Sequence, residues 1–175
     1  LVIGSCHPTV KLASLDVDYR SVCRHAAGIF LGKGHRRLAL IVPNSGLAGD
    51  LASEQGFLEG VAKIRKSPEA SGIVVRHEGT LPSLTARLDK LFRSAAPPTA
   101  LLVAKPQFTF FVIMYLLRRG LAVPTVISLI ARDHDYLFEA ATSHYYFGGD
   151  VYARRLCRLM LQLVGQGFLA PEPNL

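Results

Sequence analysis

The chain has 175 residues, half of them hydrophobic and 19% charged, which are the proportions of a folded globular protein and not of a disordered tail. Twenty Lys and Arg against 13 Asp and Glu leave a formal charge of +7; the basic residues are scattered, often at helix ends where cations favour the dipole, and read as a solvated face rather than a nucleic-acid surface. No apolar run reaches the roughly 18 residues of a membrane helix, and Cys6, Cys23 and Cys157 lack the paired spacing of a metal site or a disulfide framework.

The opening "LVIGSCHP" is an apolar strand pattern without initiator Met, basic region or cleavage site, so a longer parent protein is expected. A helix is predicted to start near Asp18, whose carboxylate can cap the first turn, with Val22, Ala26, Ile29 and Phe30 in one stripe. Gly32 and Gly34 end it. In "GKGHRRLALI", His35, Arg36 and Arg37 then form a turn that can satisfy free helix carbonyls before a buried strand, "LALIV". That turn precedes its strand and belongs to the sheet edge opposite any ligand crevice, so the cationic cluster reads as structural.

The next stretch, "DLASEQGFLEGVAKIRK", predicts a helix with Leu51, Phe57, Leu58, Val61 and Ile64 at core spacing. "GIVVRHEG" is a strand, and "LPSLTARLDKLFRS" a helix with Pro82 in its first turn and Leu84, Leu88 and Leu91 on one face. "PPTALLVA" gives a strand, "QFTFFVIMYLLRRG" a helix ended by Gly120, and "VPTVISLIA" a strand. A short extended "TSHYYF" and a last helix from Asp150 follow, with "APEPNL" as a frayed end.

Apolar strands alternating with amphipathic helices predict an α/β fold, a doubly wound parallel sheet with helices on both faces. Ligands on such sheets bind beyond the carboxyl ends of the strands. The residues placed there are Pro43 to Asp50, His77 to Leu81, Lys105 to Gln107 and Arg132 to Asp135. His77 beside Glu78 reads as a surface pair without metal spacing.

Four blocks in order, beginning at Asp18 ("GHRRLALI" ends the first), Ser53 ("SEQGFLEG"), Pro97 ("PPTALLVA") and Arg118 ("RRGLAVPTVISLIARD"), resemble the effector-binding core of the lactose-repressor family (LacI/GalR) of transcriptional regulators. The resemblance implies a fold of the periplasmic-binding-protein type I, two lobes hinged around a small ligand. It assigns residues 1–13 to a strand and crossover from the N-terminal lobe, 14–140 to the C-terminal effector-binding lobe, and 141–175 to the returning strand and helix. It places a DNA-binding headpiece upstream of this chain.

The resemblance also implies site residues. The family's ligand-gripping Arg falls at Ser53, and an Asn-Asp pair falls at Lys105 and Pro106; both are departures. Asp133 is retained, without a visible poised partner. Lys105 either meets an acidic group on the effector or pairs with Asp133 across the strand ends. Tyr145, Tyr146 and Phe147, at the crossing between lobes, either stack on a sugar ring or pack as strand residues; Tyr146 joins Ser53, Lys105 and Asp133 in the expected effector site. The helix at 107–117 is apolar nearly all round, so its outer face must be buried by something, and the resemblance implies a homodimer contact there through Phe108, Phe111, Val112 and Tyr115.

No nucleophile with a matched base and no phosphate-cradling glycine loop is visible, so a binding module without catalytic residues, metal or cofactor is expected rather than an enzyme. The implied function is sensing a small, sugar-like effector in a cytoplasmic regulator that reaches operator DNA through its headpiece, with no membrane partner. The alternatives are an extracytoplasmic solute-binding protein of the same fold, separated by a secretory signal in place of a headpiece, and a degenerate member that only dimerises.

Overall fold

A computed structural model describes residues 1–6, 9–63 and 70–168. The expected doubly wound architecture is present. Five parallel strands, β3 (Arg37–Pro43), β4 (Ser71–His77), β5 (Ala100–Val103), β6 (Ser128–Ala131) and β7 (Ser143–His144), form one sheet in the order β4-β3-β5-β6-β7. A smaller parallel pair, β1 (Val2–Ile3) and β2 (Ser14–Leu15), stands before it. Helices α1 (Tyr19–Gly32) and α2 (Ala48–Ala62) cover one face, and α3 (Leu81–Phe92) and α4 (Pro106–Arg118) the other. A last helix, α5 (Gly149–Gln166), is tied back by Tyr152, whose hydroxyl donates to the Leu15 carbonyl over 3.0 Å. Among the described residues no helix is long and apolar enough to cross a membrane.

Side-chain alternation along the strands divides the core. Ala39, Ile41, Leu101, Val103, Leu129 and Ala131 pack under α3 and α4, whereas Leu38, Leu40, Val42, Leu102 and Ile130 pack under α1 and α2. The chain winds from β3 outward to β4 and then returns across β3 to β5, so the winding reverses between β3 and β5. That reversal is where a crevice opens at the carboxyl ends of the strands.

Helix α1 runs from this crevice end to the opposite edge, and both of its ends are fixed as the sequence suggests. Asp18 caps α1 by accepting from the Ser21 amide at 2.9 Å. At its far end Gly34 adopts φ +91°, and the Arg36 guanidinium donates to the Leu31 carbonyl at 3.3 Å. His35 reaches further, with Nδ1 at 2.9 Å from Thr99 Oγ1 and Nε2 at 2.9 Å from Ser128 Oγ, so one imidazole bridges the starts of β5 and β6. Arg37 Nε donates to the Pro97 carbonyl over 2.9 Å.

Three expectations need correction. In α2, Phe57 is buried, but Leu51 and Leu58 are exposed, and the inward face is Asp50, Ser53, Glu54, Gly56, Phe57 and Gly60. The reason is backbone contact: a Cβ at Gly56 would overlap the Arg20 carbonyl of α1, and one at Gly60 would lie 2.7 Å from the Arg24 carbonyl. In α4, Phe108, Val112 and Tyr115 point into the domain's own core with Phe111 partly buried, and the exposed apolar face is Phe110, Met114 and Leu117. His77 is fully buried, its Nδ1 accepting from the Gly79 amide at 3.1 Å and its ring edge-on to Phe108. Ile64 and "APEPNL" lie outside the described residues.

Two measurements follow. Gly56→Ala should destabilise the fold by about 3 kcal/mol in urea unfolding, because the α1–α2 contact must open. Gly28→Ala, where a Cβ meets nothing within 4 Å, should be neutral or stabilising by up to about 1 kcal/mol. Equal effects would show that the helices do not meet through glycine.

Burial holds both His77 and His35 below the ordinary imidazole range, with Lys33 adding to the effect on His35. Below about pH 6.5 the unfolded chain therefore binds protons that the folded chain refuses. Stability is full above that pH and falls as pH drops towards the depressed folded values. His77→Asn, which keeps an acceptor near the Gly79 amide, should flatten part of this slope; an unchanged slope would mean His77 contributes none of it.

Candidate functional site

The carboxyl edges of β3, β5 and β6 carry a closed polar network built on one buried cation. Arg132 follows the last residue of β6, and its amide continues the ladder by donating to the Val103 carbonyl at 2.8 Å. The next side chain in the strand alternation must point into the α1–α2 layer, and there the guanidinium is only 1% exposed. Its Nη1 donates to Asp50 Oδ1 and to Ser53 Oγ, each at 2.9 Å, and its Nε to Asp133 Oδ2 at 3.0 Å. The Tyr19 ring covers the guanidinium at 4.2 Å. Nη2 is buried and has no partner among the described residues.

Each partner is positioned by the local sequence. The turn after β3 bends at Gly46 (φ +67°), and Ser45 Oγ donates to Asp50 Oδ2 over 2.6 Å. This sets Asp50 in the first turn of α2, where a carboxylate is favoured by the helix dipole. Ser53, one turn on, donates to the Gly49 carbonyl at 2.8 Å and so presents its oxygen to Arg132. Gly49 itself is needed small: a Cβ there would lie 3.0 Å from the Tyr19 ring.

Lys105, at the N-cap of α4, is the one non-glycine residue with positive φ among those described, at +70°. That torsion turns its amide onto Asp133 Oδ2 at 2.9 Å. Its ammonium lies 3.9 Å from Asp50 Oδ1, the same oxygen that Arg132 Nη1 holds. The link between Lys105 and Asp133 is thus made by the backbone, and the ammonium faces a different acid from the one expected.

Burial acts to loosen the proton of Arg132, but Asp133 and Asp50 outweigh it and hold the guanidinium above its ordinary range, firmly charged. Burial, reinforced by Asp133, pushes the Tyr19 phenol up to about 12, so it stays neutral. The Cys23 thiol is likewise pushed up to about 12 by burial, which makes it an inert neighbour.

Of the expected residues, Ser53, Lys105 and Asp133 come together in this network, whereas Tyr146 does not touch it. Tyr146 is 67% exposed and stands edge-on to His134, the residue after Asp133, with ring centroids 4.9 Å apart. Tyr145 turns the other way, its hydroxyl 2.8 Å from His25 Nδ1 on α1. Asp50 and Arg132 lie within segments marked as loop positions, but neither was singled out; Asp133 is less alone than its sequence neighbours suggested. The departure at Ser53 has a counterpart in space, since a guanidinium does stand against that position but arrives from β6 rather than α2. Among the described residues, no group of three His, Cys, Asp or Glu is arranged to hold a metal.

The chain is 28% identical over 120 residues to the HTH-type transcriptional regulator AglR of Rhizobium meliloti (strain 1021), a match covering 68% of this chain and 33% of that protein. Among solved structures, a LacI transcriptional regulator from Rhodococcus superposes with a TM-score of 0.82 at 20% identity, covering 99% of this chain and 65% of that one. A regulatory protein of the LacI family from Chloroflexus aggregans gives 0.82 at 22% identity over 94% of this chain and 60% of its own. The chain therefore spans a third of AglR and under two thirds of these solved relatives. The lactose-repressor resemblance carried by the four sequence blocks is borne out by these matches. A family model of the periplasmic binding protein-like domain matches residues 27–173, all five strands of the main sheet and all the residues that converge on Arg132 except Tyr19, and the chain belongs to that family.

Proposed function

We propose that the chain is the effector-sensing part of a DNA-binding transcriptional regulator of the lactose-repressor type. A small polar molecule, in the class of sugars and sugar derivatives, would bind in a cleft between lobes, one wall of which is the face formed by Lys105, Asp133, Asp50 and Arg132. The observation that carries this reading is the convergence of residues from three loops at the reversal of the sheet, where doubly wound folds take their ligands. The names of the relatives add the regulatory setting.

In this reading β1, β2 and α5 belong with a second lobe, and the exposed apolar residues of α5, among them Leu161 and Val164, pack against it. Closure on the effector changes the angle between lobes and with it the fit of paired headpieces to operator half-sites. The coupling energy is the difference in effector affinity between the two closure states. Such a regulator works as a cytoplasmic homodimer, and the exposed face of α4 (Phe110 46%, Met114 44%, Leu117 53%) is the apolar surface available for it.

A thermal-melt screen of the whole regulator against sugars and sugar acids should find a ligand that raises the melting point, since a ligand at about 100 times its Kd adds about 2.7 kcal/mol. Asp133→Asn, which keeps an oxygen acceptor for Arg132 and Lys105 but removes a charge from the wall, should change that ligand's affinity in calorimetry. Unchanged affinity would place the effector elsewhere. Asp50→Ala, by contrast, should lower stability by about 3 kcal/mol through the stranded guanidinium.

For the assembly, Met114→Glu should shift a dimer towards monomer in sedimentation while leaving the far-ultraviolet circular dichroism unchanged. A variant that remains fully dimeric would move the contact off α4.

A further inference from the structure

Taking the carboxyl edge of the sheet as the effector wall, as above, the balance of hydrogen-bonding groups on it is one-sided. Most of its acceptors are already engaged. Asp50 takes Ser45 on one oxygen and Arg132 with the Lys105 ammonium on the other. Asp133 takes the Lys105 amide and Arg132 Nε on a single oxygen. Ser53 donates to Gly49 and accepts from Arg132.

Donors are left over. Arg132 Nη2, on a side chain 1% exposed, carries two N–H groups with no acceptor among the described residues. The Lys105 ammonium is 34% exposed, and its single carboxylate contact, at 3.9 Å, is beyond hydrogen-bond range. Both cations lean on one oxygen of Asp50, so that oxygen is shared between two positive charges. The N-terminus of α4 opens at the same place with no side chain capping it.

We propose that this wall recognises an anionic oxygen group on the effector, a carboxylate or a phosphoryl group, held by Lys105 Nζ and Arg132 Nη2. Such a group brings only acceptors, which match the donors left over, and needs no acceptor in return. A neutral polyol brings hydroxyl donors for which Asp50 and Asp133 have little remaining capacity. Lys105 is the outer contact, free to leave its long approach to Asp50, and Arg132 Nη2, covered in this structure, is the inner one, reached when the wall parts around the ligand.

The test is a titration of the nitrogen-15-labelled whole regulator, following the Arg132 Nε–H and Lys105 amide resonances, with inorganic phosphate, D-gluconate and D-glucose at constant ionic strength. Saturating shifts of both resonances with phosphate or with gluconate support the proposal, and the arm that saturates at the lower concentration names the group. Lys105→Met should weaken that binding about tenfold, with recovery in Lys105→Arg. Glucose shifting the same resonances as strongly as gluconate would overturn the anionic assignment and leave the sensing wall standing. Absence of a saturating shift with either anion would overturn the donor pair, and a ligand found in the thermal-melt screen would still uphold sensing itself. Anion binding unaltered by Lys105→Met would equally overturn it.

Discussion

A guanidinium sealed inside the protein is the constraint from which the rest of this face follows. Removing a charge from water costs several kcal/mol even after relaxation, and the cost is offset only when the partners are close and well aimed. Arg132 meets that condition with Asp50, Ser53 and Asp133 in its plane and Tyr19 over its face. Those partners come from β6, α1 and α2, and Asp133 carries the connection on to the start of α4. One side chain thereby joins the sheet to three of its helices. The odd torsion of Lys105 and the lack of a side chain at Gly49 are local adjustments to the same demand.

The two ends of the sheet divide the labour. At the amino end the chemistry is closed: His35 is bonded through both ring nitrogens, and Arg36 and Arg37 finish on backbone carbonyls. At the carboxyl end Asp50 is engaged through both oxygens while Arg132 retains unpaired hydrogens, and the winding of the chain reverses between the neighbouring strands. Similar cationic residues thus hold the scaffold at one pole and face a crevice at the other.

What could be read from the sequence was what hydrophobic pattern encodes. Apolar runs located the strands, Asp18 marked the start of α1, and the leucines of α3 gave its inner face correctly. The inner face of α2 could not be read this way, because it is made of Gly56, Gly60 and polar residues whose burial leaves no apolar periodicity. In α4 the opposite problem arises: with nearly every position apolar, the pattern does not distinguish core from surface, and Phe108 and Phe110 look alike until the helix is placed. Arg132 was hidden for a third reason. Arginine is rarely fully buried, and nothing beside it in the chain announces Asp50, which lies 82 positions away.

The glycine contact between α1 and α2 has a mechanical corollary. Helices separated by interlocking side chains can absorb a small push through rotamer changes, but two backbones in direct touch have no such cushion. Asp50 and Ser53 ride on one of these helices and Tyr19 on the other, with the same guanidinium between them. A displacement of that cation is therefore felt by both helices at once, as a single stiff plate tilting on the sheet.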